Sequence, residues 1–219
     1  MKLAEMKPLR AVPAFAALAL VGACASLTGS KESFTVYSPR YAAPAGMQGK
    51  AVEWQLAIDT PLASDALDTS RMLVMPTPGA LETYKGGRWA DTPPLVLRGL
   101  LIEAFQDTGR IAGVGALTSS IHADYTMTID LYDFEVQYRD GAPHAVIRLN
   151  AQLNDSSINR VRAARTFEAD EPVAGTTAGD AANAFDHTLD TLLASIVQWT
   201  IDQGESAWSK TSHPPRSSP

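Results

Sequence analysis

The clearest pattern in the chain is a strict alternation. Ile121, Ala123, Tyr125, Met127, Ile129 and Leu131 are apolar, and His122, Asp124, Thr126, Thr128 and Asp130 between them are polar. Period two marks a strand with one face buried. After Leu131 the apolar phase moves by one, to Tyr132, Phe134, Val136 and Tyr138. A one-residue slip inside a strand predicts a β-bulge or a strong local twist. Asp140-Gly141 then predicts a hairpin turn, and alternation resumes at Ala145, Ile147, Leu149, Ala151 and Leu153. Asn154 to Asn159 reads as a second turn. Val161, Ala163 and Phe167 mark a third strand that carries Arg160, Arg162 and Arg165, as an edge strand does.

Two stretches change period. Phe185, Leu189, Leu192, Ile196 and Trp199 step by fours and threes, the spacing of an amphipathic helix with one buried stripe. Thr177 followed by Asp180 resembles a capping box at its start. A second helix is predicted from Pro93, with Thr92 as N-cap, apolar Leu97, Leu100, Leu101, Ala104 and Phe105, and Gly109 as its stop. Upstream, Phe34 to Tyr37 reads as a strand stopped by Pro39, and Val52, Trp54, Leu56 and Ile58 as another. Arg71 to Met75 reads as a strand bounded by Pro76, and Leu81 to Trp89 as a short hairpin around Gly86-Gly87. The sum is a single α/β (α+β) domain. It has a mixed or largely antiparallel sheet, a C-terminal β-meander and two main covering helices.

The N-terminus has a different character. Lys2, Lys7 and Arg10 precede an apolar run from Ala11 to Val21, which leads into Val21-Gly22-Ala23-Cys24. A basic start, a short apolar core and small residues before a cut form a secretory signal. The run is shorter than the roughly 20 residues a bilayer span needs. The tetrapeptide resembles a bacterial lipobox, with Cys24 as the lipidated first mature residue. The competing reading is an ordinary cut near Ala23 or Ala25. The expected organisation is a signal peptide over 1–23, a tether over 24–32, the domain over 33–205 and a disordered tail over 206–219. Nine tether residues, fully extended, reach roughly 30 Å.

Cys24 is the single cysteine, so no internal disulfide can form. Without residues 1–23 the chain carries 15 basic and 23 acidic residues, a formal charge of −8 against −6 for the whole. This acidity argues against a nucleic-acid groove, which needs clustered Lys and Arg. It also argues against broad electrostatic adhesion to anionic lipid.

Candidate chemistry is sparse. His122 and Asp124 share a strand face at ligand-like spacing, but no third ligand accompanies them, and a solvated strand face is the preferred reading. Asp130, Asp133 and Glu135 raise acid–base chemistry, again against a solvated face. His187 and Ser195 lie eight positions apart on one helix, about 12 Å along its axis, and cannot touch. No Ser sits in a G-x-S-x-G turn. No cofactor and no metal site are predicted. Trp89 stands just before the Pro-capped helix in Arg88-Trp89-Ala90-Asp91-Thr92-Pro93-Pro94. It either wedges the helix start against the sheet, the preferred role, or serves as an exposed anchor for a partner. Trp208, beyond the helical stripe, is the other candidate partner contact. Trp54 and Trp199 fall on apolar faces and read as core.

The order of these segments resembles the ABC-type transport auxiliary lipoprotein family. The resemblance runs from the lipobox cysteine through Arg71-Met72-Leu73-Val74, Leu81, Tyr84, Arg88-Trp89-Ala90 and Pro93-Pro94. It continues through Ala123-Asp124-Tyr125, Asp133-Phe134-Glu135, Arg165-Thr166-Phe167-Glu168 and the helix ending at Trp199. It covers about Ser33 to Asp202. Val74-Met75-Pro76-Thr77-Pro78 departs from the family's usual polar segment there. The resemblance implies a periplasmic α/β domain tethered to the inner leaflet of the outer membrane. It also implies a non-catalytic accessory role beside an MCE-family periplasmic protein and its ABC permease and ATPase, with a homo-oligomer as one arrangement. An assembly lipoprotein of another envelope complex is the alternative, and a lipid-anchored hydrolase a more distant one.

Overall fold

In the computed structural model the described residues are 33–42, 47, 49–119 and 122–210. The signal and lipobox, including Cys24, and the end of the tail lie outside them. Eight strands and two helices follow in chain order: β1 (Thr35–Tyr37), β2 (Leu56–Ile58), β3 (Arg71–Thr77), β4 (Ala80–Trp89), α1 (Pro93–Asp107), β5 (Val114–Ala116), β6 (Tyr125–Arg139), β7 (Ala142–Asp155), β8 (Arg160–Pro172) and α2 (Ala178–Trp208).

All eight strands form one curled mixed sheet around β6. One edge of β6 pairs antiparallel with β7 along its whole length, and β7 pairs in turn with β8. The other edge is shared. β2 runs parallel to it at Tyr125–Met127, Leu62 bridges to Asp130, and β3 runs parallel at Val136 and Gln137. Four strand pairs are parallel and three antiparallel, so the sheet is mixed. The meander β6–β7–β8 supplies two of the antiparallel pairs, with β8 as its edge, and β3–β4 is the third.

The alternation in the sequence maps onto this geometry. Tyr125, Met127, Ile129 and Leu131 are buried, and after a register shift between Leu131 and Asp133 the buried residues are Phe134 and Val136. Tyr132, expected on the apolar face, is the bulged residue. It is exposed, with the Arg148 guanidinium 5.0 Å above its ring. The shift also carries Glu135 into the interior, contrary to the solvated face expected for it. Its carboxylate accepts from the Phe134 N–H at 2.7 Å and from Gln137 Nε2 at 2.8 Å. Burial pushes its pKa up against those bonds. Asp140 and Gly141 both adopt positive φ, the pattern of a two-residue type I′ hairpin.

β4 corrects the expected hairpin at Gly86-Gly87. It is one continuous strand, and the turn lies earlier, between Thr77 and Ala80, where Gly79 has φ of 81°. Gly87 is required for a different reason. A Cβ there would lie 2.4 Å from the Ala178 Cβ and 2.8 Å from the Met72 Sδ. The start of α2 is pressed onto the strand at that point. β3 likewise runs through Pro76 to Thr77 instead of stopping before it.

Both helices follow their predicted starts. Thr177 accepts from the Asp180 N–H while the Asp180 carboxylate accepts from the Thr177 N–H, a complete reciprocal cap. Thr92 occupies the N-cap of α1, but its hydroxyl makes no capping bond. Pro93 and Pro94 have no N–H, so fewer donors at this helix start need a partner. Gly109, with φ of 62°, ends the helix. α2 spans 31 residues, about 46 Å, and packs on β4, β7, β8 and α1. It runs to Trp208, past the boundary expected at 205. Phe185, Leu189, Leu192, Ile196 and Trp199 are all buried on it. Among the described residues no helix is long and apolar enough to cross a membrane.

Candidate functional site

The last turns of α2 reach the start of β6. Three contacts fix them there. The Trp54 indole N–H donates to the Glu205 carboxylate at 3.0 Å. The Trp54 ring meets Tyr125 edge to face at 5.3 Å. A Cβ on Gly204 would lie 2.4 Å from the Trp54 ring, so only glycine lets helix and indole approach this closely.

Beside this joint is a polar cleft of about 400 Å³, with His122, Asp124, Tyr125, Asp155 and Trp208 among its walls. The structure thus brings the His122 and Asp124 pair and Trp208, which the sequence singled out separately, to one cleft. His122 and Asp124 do not lie on a strand face, however. They precede β6, in the segment leading to Tyr125. His122 is exposed, while the Asp124 carboxylate accepts from the Gln55 N–H at 2.8 Å and ties the segment to β2. Trp208, the last helical residue, is half-buried, packs against the core and lines the cleft.

Asp155 is the cleft's buried acid, and sequence reasoning missed it. It accepts from the Ser157 N–H at 3.0 Å, the Ser157 hydroxyl at 2.6 Å and Arg162 Nη2 at 2.6 Å. Burial works to raise its pKa, but these bonds and the Arg162 charge outweigh it and hold the carboxyl down at about 2. The signal for it was present: an Asp opening the Asn154–Asn159 turn, with Ser two positions on. Tyr125 moves the other way. Burial and the neighbouring Asp155 carboxylate push its hydroxyl up to about 12. Among the described residues, no group of three or more His, Cys, Asp or Glu is arranged to hold a metal.

Trp89 is not part of any surface. It is 2% exposed and sits edge-on to Phe185 at 5.2 Å and to Phe134 at 5.8 Å, and those two rings stack at 4.8 Å. The residue opens the turn into α1 and its ring locks α2 to the bulged half of β6. This burial agrees with the preferred wedge role and leaves no exposed ring for the alternative, an anchor for a partner. Ser195 donates to the Thr191 carbonyl one turn back on its own helix.

Residues 38–197 match the family described as the ABC-type transport auxiliary lipoprotein component. The chain belongs to this family. A solved structure of a Xanthomonas campestris protein, assigned to the domain family DUF330, is 35% identical to this auxiliary component. It covers 81% of this chain and 99% of its own, with a TM-score of 0.75. A second solved structure, of an uncharacterized protein, covers 76% of this chain and 98% of its own at a TM-score of 0.58. With 15% identity it shows a shared fold alone. An uncharacterized protein of Bradyrhizobium diazoefficiens is 30% identical over 172 residues. That is 78% of this chain but 45% of the relative, so the auxiliary component spans less than half of that protein's length.

Proposed function

We propose that this chain is a non-catalytic, lipid-anchored accessory of an MCE-type ABC transport system. In this reading it is held by Cys24 at the periplasmic leaflet of the outer membrane and serves the movement of lipids or other hydrophobic molecules across the envelope. The family match over residues 38–197 carries the reading. The cleft supports it. Its acids are committed to holding the fold, Asp124 to the Gln55 backbone and Asp155 to Ser157 and Arg162. A carboxylate held near pKa 2 by its own neighbours is a poor proton acceptor at neutral pH. Trp208, on the cleft wall and packed against the core, is the aromatic residue of this site proposed to meet a partner. Val21-Gly22-Ala23-Cys24 supports the anchor, and Ala25 after the cysteine lacks the Asp that resembles an inner-membrane retention signal.

The test is co-purification after mild crosslinking of the lipidated protein in its native membranes. Recovery of an MCE protein with its permease and ATPase is expected. Recovery of a different envelope complex, with none of these subunits, overturns the reading. Anchoring is checked apart from partnership. The mature N-terminus should show an acylated Cys24 by mass spectrometry, and Cys24→Ser should release the chain from the outer-membrane fraction. An unmodified N-terminus beginning at Ala25 or later would remove the anchor from the proposal.

A further inference from the structure

The outer face of β1, β4 and β3 combines exposed apolar and cationic side chains on an otherwise acidic chain. In the sheet register Val36 pairs with Arg88, and Arg88 pairs with Arg71. The three side chains therefore stand in a row across three strands on one face. Phe34, two positions before Val36, falls on the same side, and its ring lies 4.2 Å below the Arg88 guanidinium. Tyr37, Gly87 and Met72 converge under the start of α2, so α2 covers the opposite face.

This row is apolar and cationic together. Phe34 is 47% exposed and Val36 57% exposed. Arg71, Lys85 and Arg88 are exposed, and none of them makes an ion pair within the described residues. A shallow groove of about 690 Å³ extends the face past Arg71 and Lys85 to exposed Leu81, with Asp65 and Glu82 on its rim. In the meander Arg139 is matched to Glu168, Arg148 to Asp133 and Arg162 to Asp155, while Arg160 and Arg165 on the β8 edge make no ion pair within the described residues.

We propose that this face lies against a bilayer surface carrying anionic phospholipid headgroups and seats the domain beside its own anchor. Interfacial contact of this kind combines exposed aromatic or aliphatic residues with Lys and Arg. The formal charge of −8 without residues 1–23 repels such a surface at long range. Screening confines each charge to about 8 Å at physiological salt, so at contact the local cations decide. The chain's course favours the same occupant. Phe34 opens the face, and Cys24 precedes it by ten positions, a reach of roughly 34 Å at full extension. The inference rests on the anchoring reading for that proximity.

The experiment uses the lipidated protein reconstituted into vesicles. Acylation consumes Cys24, the single native cysteine, so a cysteine introduced by Val36→Cys takes an environment-sensitive fluorophore alone. A parallel Ile158→Cys sample, in the exposed turn between β7 and β8, is the control. In vesicles of equal parts phosphatidylcholine and phosphatidylglycerol, the label at position 36 should shift to the blue. It should not shift in phosphatidylcholine alone, and the label at 158 should shift in neither. Each arginine removed, in Arg71→Ser and Arg88→Ser, should lower the docked-to-free ratio about fivefold, with unchanged circular dichroism. Water-like emission at position 36 in both vesicle types overturns the proposal. An equal blue shift in detergent and in both vesicle types also overturns it, because the face is then covered by the chain's own N-terminal segment or by a second copy. The N-terminal mass is read on the same sample. If Cys24 carries no lipid, the anchor fails separately, and flotation of that sample decides the face. Flotation with phosphatidylglycerol vesicles that Arg71→Ser/Arg88→Ser abolishes sustains the proposal, and its absence overturns it.

Discussion

The Trp54 indole lies against Gly204, so close that a single added methyl group would come within 2.4 Å of the ring. That contact places the end of α2 over the start of β6 and thereby forms the cleft. Gly204→Ala is a gain in helix propensity of about 1 kcal/mol, but here overpacking of about 1–3 kcal/mol opposes it. The variant should be less stable and should perturb Trp54 fluorescence. Gly99→Ala, on α1 with nothing near its Cβ position, should stabilise by about 0.5–1 kcal/mol. Urea unfolding of both variants separates the two cases, and equal stabilisation of both would show that the joint is looser than described.

The stripe on α2 predicts a second contrast. Leu192 is 2% exposed within the core cluster, whereas Ser195 returns its hydroxyl to the helix backbone. Leu192→Ala should cost about 2–5 kcal/mol, and Ser195→Ala should change urea unfolding by well under that. Similar small losses from both would mean that the helix does not pack through this stripe.

Much of this was readable from local pattern. The bulge in β6 is visible as the change of apolar phase at Leu131, the hairpin as Asp140-Gly141, and the start of α2 as Thr177 with Asp180. Each depends on residues within a few positions of one another. The pairing of β6 with β2 and β3 was not readable, because parallel partners join through long crossovers that leave no local trace. Gly86-Gly87 looked like a turn for the same reason. What demands a glycine at 87 is Ala178, some ninety positions away. Tyr132 and Glu135 were assigned to the wrong sides because the phase change fixes that a bulge exists but not which residue it expels. The cleft escaped notice because His122, Asp124, Asp155 and Trp208 meet only when a 31-residue helix reaches its full length.

Asp155 gives the fold an acid-sensitive clasp. Its carboxyl titrates at about 2 in the folded chain against an ordinary 3.8. A depressed folded value stabilises the fold above the ordinary value, and that contribution fades as pH falls from 3.8 towards about 2. Asp155→Asn should therefore cost about 1–3 kcal/mol at neutral pH through its weakened bonds to Arg162 and Ser157. It should also flatten the acid limb of a stability–pH curve between pH 4 and 2. An acid limb identical to that of the parent would show that the clasp does not form. Glu135 shifts in the opposite sense. Its contribution is present below its ordinary 4.5 and lost as pH rises, so the two carboxylates are separable by variant.

The two tryptophans singled out by sequence should now behave differently. Trp89 is enclosed by Phe134 and Phe185, and Trp89→Ala should cost about 3–5 kcal/mol in urea unfolding. Any loss of envelope function in that variant should follow its loss of abundance. Trp208 is half-buried at the helix end, on the cleft wall and at the margin of the core. Trp208→Ala should keep the protein at normal abundance and weaken capture of its transport partner. An aromatic anchor is worth about 2 kcal/mol, roughly thirtyfold in affinity. His122→Ala, exposed on the same rim, should leave detergent resistance of cells intact at normal protein level. Loss of function from His122→Ala alone, with Trp208→Ala silent, would turn the cleft from a contact surface into a chemical site.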